Sequence, residues 1–327
     1  MEAATGDLNP RTKLRDRLPA RHEVLQKYGV IIALIALIVF FSAMKPETFP
    51  TSANLENILN QTAVLIVLSA GLTIVLALGD FDLSIGAVAS FAGVLSGITM
   101  VRWGLPVPVS ILGVIAVGGF VGLINGLFVA RVRVSAFIVT LAMGSIVTGF
   151  GAGANEGALV QNLPKGFSDI ARGDVGPISN LIVISLGTAA IIWFLMEKTV
   201  AGRQMAAIGE SEEAARLAGV RVVALRIIGF ILTGALAAAA GLLLSAQSGT
   251  SSPDAASGLL LPAYAAAFLG ASTLKPGEFH IIGTVIGVLL ASVTVTGMTM
   301  IDLPFWLNSV VQGTILLIAI SLARSNK

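Results

Sequence analysis

Cysteine is absent from the 327 residues, and histidine occurs only twice, at His22 and His280. Without a thiol the chain forms no disulfide, no thiolate metal site, no covalent haem link and no cysteine nucleophile. Two histidines so far apart in sequence, with no other ligands clustered near them, are read as ordinary residues, and no metal site is expected. Charge is scarce as well: Asp, Glu, Lys and Arg make up 12% of the chain, against about a quarter in soluble domains. No G-x-x-x-x-G-K-[ST] run occurs, so the chain does not cradle nucleotide phosphates by that loop. No catalytic constellation is expected, and nothing points to nucleic acid.

What fills the chain instead is apolar: 55% of residues are hydrophobic, spread along nearly the whole length rather than gathered into one core. Crossing bilayer hydrocarbon takes about 20 mostly apolar residues per helix. Such stretches predict ten helical spans, at 29–44, 57–78, 84–101, 106–130, 134–153, 178–196, 225–247, 258–272, 279–300 and 305–323. The runs are too long and continuous for barrel strands. The fold class expected is an all-α polytopic membrane protein of about ten transmembrane helices with both termini cytoplasmic. Residues 1–28 form an N-terminal tail, 29–323 the transmembrane domain and 324–327 a C-terminal tail.

The cationic residues fix the orientation. Arg11, Lys13, Arg15, Arg17, Arg21 and Lys27 precede the first span, and "FFSAMKP" after it is a poor cleavage site, so that span reads as uncleaved. With the N-terminus inside, sixteen of the twenty lysines and arginines fall inside, and only Lys45, Arg102, Lys165 and Arg172 outside, as the positive-inside rule requires. The eighth span is short and holds Pro262, so it either crosses the membrane or dips in and returns on the same side. Gly118, Gly122 and Gly126 share one face of the fourth span, and Gly283 and Gly287 repeat the spacing, marking close helix contacts.

The stretch "LALGDFDLSIGAVAS" (76–90) sets Asp80 and Asp82 between apolar runs. Two carboxylates at a helix centre cost about 5–7 kcal/mol, while the ten Leu, Ile and Val residues of 64–78 return about 3–6 kcal/mol. The near-cancellation predicts a broken helix at Gly79–Leu83, restarting with Ser84 as cap. That break sits either at the cytoplasmic membrane edge or inside the bundle beside a translocation path.

Three segments are polar enough to be loops: 155–177 and 248–257 outside, and 197–226 inside. The inner one carries "GRQMAAIGESEEAARLAGVRV" (202–222). Ser211 is a helix N-cap, Glu212 and Glu213 suit the first turn, Glu212 and Arg216 are spaced for an ion pair, and Gly219 ends the helix. Ala214, Leu217 and Ala218 line one face. About two turns of helix do not hold themselves folded in water, so the segment needs a partner, within this protein or outside it.

These residues resemble a known family. The 202–222 stretch, "NGLFVARVRVSAFIVTLAMGSI" (125–146), "FDLSIGA" (81–87) and "FLGASTLKPGEFHIIGTVIGVLL" (268–290) are similar, in order and over nearly the whole chain, to motifs of bacterial ABC-transporter inner-membrane permeases of the ribose/xylose type. The sequence departs from that pattern at Asp80, where a glycine is usual, and at Lys275–Pro276. The resemblance implies a permease subunit that imports a monosaccharide, with a second permease copy, a periplasmic sugar-binding protein and a cytoplasmic ATPase. ATP and Mg would sit on that ATPase, leaving no cofactor in this chain. It implies ATPase coupling through Gly202, Arg203, Gly209, Glu210, Ser211, Glu212, Glu213, Ala214, Arg216, Leu217 and Gly219. Asp82 is implied in the pathway or its gate, with Ser84 and Gly86 beside it, and Gln61, Ser69, Asn125, Thr140 and Asn308 are candidate lining groups or interhelical hydrogen bonds. Three other readings remain at this point: an ABC permease for a non-sugar ligand, a secondary transporter binding Na⁺ or H⁺ at Asp80 and Asp82, and a non-transport membrane scaffold.

Overall fold

A computed structural model of the chain describes residues 21–304 and 306–325. Residues 1–20 of the expected tail, with Arg11, Lys13, Arg15 and Arg17, lie outside the described residues, as does Lys327 at the other end. Among the described residues the protein is all-α, apart from a ribbon pairing Asp174–Val175 (β1) with Ile178–Ser179 (β2).

The ten expected spans correspond to α1 (Arg21–Met44), α2 (Ser52–Ala77), α3 (Ile85–Gly97), α4 (Val107–Leu127), α5 (Ala136–Ala154), α7 (Asn180–Lys198), α10 (Val222–Ser248), α11 (Leu260–Ala271), α12 (Ile281–Met300) and α13 (Trp306–Ser325). Single π turns, Ile98–Arg102 and Phe128–Val132, extend α3 and α4. Among the described residues, eight helices are long and apolar enough to cross a membrane; Ser257–Ala271 and Trp306–Ser321 are shorter. The second helix begins earlier than expected because Thr51 caps it, its side chain accepting from the Asn54 N–H.

Neither long loop is featureless. The outer one holds α6 (Lys165–Arg172), which turns Phe167 and Ala171 inward. The inner one holds α8 (Val200–Glu210) and α9 (Glu212–Leu217). Only the second of these was legible as a helix in the sequence. For α8 the overlooked signals were the Thr199 cap, which accepts from the Gly202 N–H, and the three-residue spacing of buried Gly202, Met205 and Ile208.

Helix α2 is the centre of the bundle, packed against α7, α10, α11 and α12. The fourth-span glycines form the contact with α10. A Cβ on Gly122 would run into the Phe230 carbonyl, and one on Gly126 would lie 2.8 Å from Ile227 Cα. Backbones brought this close gain dispersion contacts that lipid does not supply.

Candidate functional site

The break between α2 and α3 is built by Gly79. Its φ of +80° is open to glycine at little cost. Its N–H bonds to Leu76 O at 3.0 Å and that of Asp80 to Val75 O at 3.1 Å, the pair of bonds that closes a helix with a Schellman motif. Residues 80–84 then run without helix until Ile85, and in the interior each free backbone donor needs a partner.

Two other helices and Asp82 itself supply the partners. Asp82 N–H donates to Tyr264 Oη on α11 at 3.0 Å, and Leu83 N–H to Thr140 Oγ1 on α5 at 3.0 Å. Asp82 itself is 1% exposed. Its Oδ1 accepts from Ser84 N–H at 2.8 Å and from Ser84 Oγ at 2.6 Å, while Asn125 Nδ2 on α4 donates to Ser84 Oγ at 3.0 Å. This corrects the expected cap: the Ser84 side chain does not cap α3, because its hydroxyl is committed to Asp82, and the Asp82 carboxylate takes the Ser84 N–H instead.

Asp82, Ser84, Asn125 and Thr140 therefore converge on the break. Gly86 sits one turn on, where a Cβ would lie 3.2 Å from Ala256 O. Gln61 and Asn308 do not join them. Gln61 is exposed on the early part of α2 and bonds to Asn57 at 3.1 Å, and Asn308 lies in the first turn of α13. Ser69 is buried along α2.

Asp80 faces the other way, toward the inner loop. Its Oδ2 lies 2.9 Å from Arg226 Nε, and Arg226 Nη1 lies 2.7 Å from Glu212 Oε2. Glu212 also pairs with Arg216 one turn along α9. Four charged side chains thus run from the break to the inner-loop helix. Backbone contact reinforces the link: a Cβ on Gly209 would run into the Ala77 carbonyl and lie 3.2 Å from Gly79 N. A Cβ on Gly202 would meet the carbonyls of Leu195 and Met196.

Helix α9 has the features expected of it. Ser211 Oγ accepts from the Ala214 N–H, and Gly219, at φ +81°, closes the end through Gly219 N–H to Arg216 O and Val220 N–H to Ala215 O, both 3.0 Å. Ala215 points into the protein, while Ala214, Leu217 and Ala218 face outward, Leu217 at 84% exposure. Among the described residues, nothing covers the face that the sequence left in need of a partner. Arg203, Glu210 and Glu213 are exposed around it.

A cavity of about 920 Å³ opens between α9 and the break, lined by Asp80, Phe81, Arg133, Arg226, Tyr264 and Phe268 among others. Phe81 projects into it at 42% exposure, with its ring stacked on Tyr264 at 6.3 Å and Tyr264 on Phe268 at 6.4 Å. Arg226 and Tyr264 carry no local signal that singles them out in the sequence; only the tertiary fold brings them to residues 80–82.

The chain from residue 54 to 320 matches the family described as branched-chain amino acid transport system / permease component. Its curated relatives include the xylose transport system permease protein of Haemophilus influenzae, 30% identical over 93% of this chain and 97% of the relative. The L-arabinose ABC transporter permease protein of Azospirillum brasilense is 31% identical over 91% and 87%. The ribose import permease protein of Escherichia coli K12 is 31% identical over 90% and 93%. No solved structure matches the chain significantly.

Proposed function

The chain belongs to this family of transport-system permease components, and from that membership we propose that it is the membrane-spanning subunit of an ATP-driven importer of a pentose-like monosaccharide across the bacterial inner membrane. The observation that carries the reading is the likeness, over about nine-tenths of the chain, to permeases named for xylose, arabinose and ribose. Such a subunit breaks no bond in the sugar. Energy enters through a cytoplasmic ATPase that holds ATP and Mg, and the sugar arrives on a secreted binding protein, with a second permease copy completing the pore.

Residues 202–220 are the docking segment for the ATPase. The outward apolar face of α9, which none of the described residues covers, supports that role. Both termini and residues 197–226 are cytoplasmic in this reading, consistent with the bias of positive charge. Asp82 and its partners hold the break in the bundle interior. The ion-coupled reading has no comparable support, because Asp80 is engaged by Arg226 and Asp82 by Ser84.

Uptake of labelled D-xylose, L-arabinose and D-ribose by cells expressing the complete transporter tests this. Uptake of one of them persists with an uncoupler and stops when ATP is depleted. Uptake that collapses with the ion gradient while ATP remains would overturn the reading.

A further inference from the structure

Movement of the docking segment has to reach the pore through some physical connection, and Arg226 is the side chain that touches both ends. It stands on the first turns of α10, largely buried, with Glu212 of α9 on one side at 2.7 Å and Asp80 of the break on the other at 2.9 Å. Opposite charges at these distances attract each other. A shift of α9 is therefore felt at Asp80. The backbone of the break is held at its inner end by the Gly79 and Asp80 N–H bonds to Leu76 and Val75, and the next fixed points are the bonds of Asp82 and Leu83 to Tyr264 and Thr140, which leaves Phe81 between two anchors. Its ring lies over the cavity against Tyr264. The contact of Gly209 with Ala77 and Gly79 gives the same two segments a second, steric connection.

We propose that Arg226 is a positioning residue for transport: it couples engagement of α9 by the ATPase to the 79–83 break, so that Phe81 opens and closes the inner mouth of the cavity. The inference rests on the ATPase-driven reading but does not depend on which sugar is carried. One ion pair, Arg226 with Glu212, receives the motion, and the other, Arg226 with Asp80, delivers it.

The absence of cysteine makes a Phe81→Cys chain singly reactive. That chain, assembled with its ATPase, is labelled with a water-soluble maleimide with and without ATP, Mg and vanadate. Residues within one charged network couple by about 2- to 100-fold in equilibrium terms, so nucleotide changes the labelling rate by about threefold or more. Adding Asp80→Asn or Arg226→Gln removes the nucleotide dependence while the ATPase still co-purifies, and Arg226→Lys keeps part of it. Asp80→Asn leaves the Arg226–Glu212 pair intact, so it decides the matter even where Arg226→Gln does not assemble. An unchanged response in Asp80→Asn, or no response in the parent Phe81→Cys chain, overturns the proposal. Failure of the parent chain to hold any ATPase would remove the proposed function as well; failure to carry D-ribose, D-xylose or L-arabinose would leave the labelling result standing.

Discussion

The two carboxylates that interrupt an apolar sequence have separate physical roles. Asp82 is a structural acceptor: it satisfies the N–H and hydroxyl of Ser84, where an unpaired buried donor costs about 1–3 kcal/mol. Asp80 is different. Burial pushes its carboxyl above the ordinary range, the Arg226 guanidinium pulls it back, and nearby Glu212 pushes it up again. A carboxyl raised above its unfolded value contributes stability below the ordinary carboxylate range and loses it as pH rises through the folded value. Ionisation of Asp80 therefore does not hold the fold together, in keeping with the general cost of burying ion pairs. Thermal unfolding in detergent at pH 7 separates the two residues. Asp82→Ala lowers stability by about 1–3 kcal/mol, and Asp80→Asn changes it by less than about 1 kcal/mol. Equal losses would contradict this assignment.

At the scale of elements, local chemistry was legible in the sequence and long-range pairing was not. Gly79, Ser211 and Gly219 act within a few residues of themselves, and the helix ends they predict are the ones found. The glycine ladder of 118–126 likewise announces a close neighbour without naming α10. The Asp80–Arg226–Glu212 connection joins three segments that only the tertiary fold brings together, so no sequence window contains it. Polar residues chosen as pathway candidates fared by position: Asn125 and Thr140 bond to the break, while Gln61 and Asn308 sit elsewhere. Helix α9 is the element whose role is most exposed to test. Leu217 is 84% exposed among the described residues, so Leu217→Asp leaves the fold intact and weakens ATPase binding by about tenfold or more, as expected for an apolar anchor at an interface centre. Co-purification at graded ATPase concentrations reads that change; full binding by Leu217→Asp would place the docking surface elsewhere.

At the scale of the whole molecule, a bundle centred on α2 breaks that central helix at its inner end and hangs the α8–α9 segment directly beneath the break. The segment is too short to be stable alone, and its apolar face points away from the described residues. The sequence alone made the family and the helical class legible, because apolar runs and motif order are written along the chain. The cavity and the ion-pair path were not, because they exist only once α2, α4, α5, α9, α10 and α11 are packed together. The central claim is that this inner segment transmits work done by a separate ATPase. Its most direct test is ATP-driven sugar uptake by liposomes holding the permease, its ATPase and its binding protein, with residues 210–218 in native or scrambled order. Native order gives uptake only when the ATPase and ATP are present, and the scrambled order gives none; uptake without the ATPase, or undiminished uptake by the scrambled chain, would contradict it.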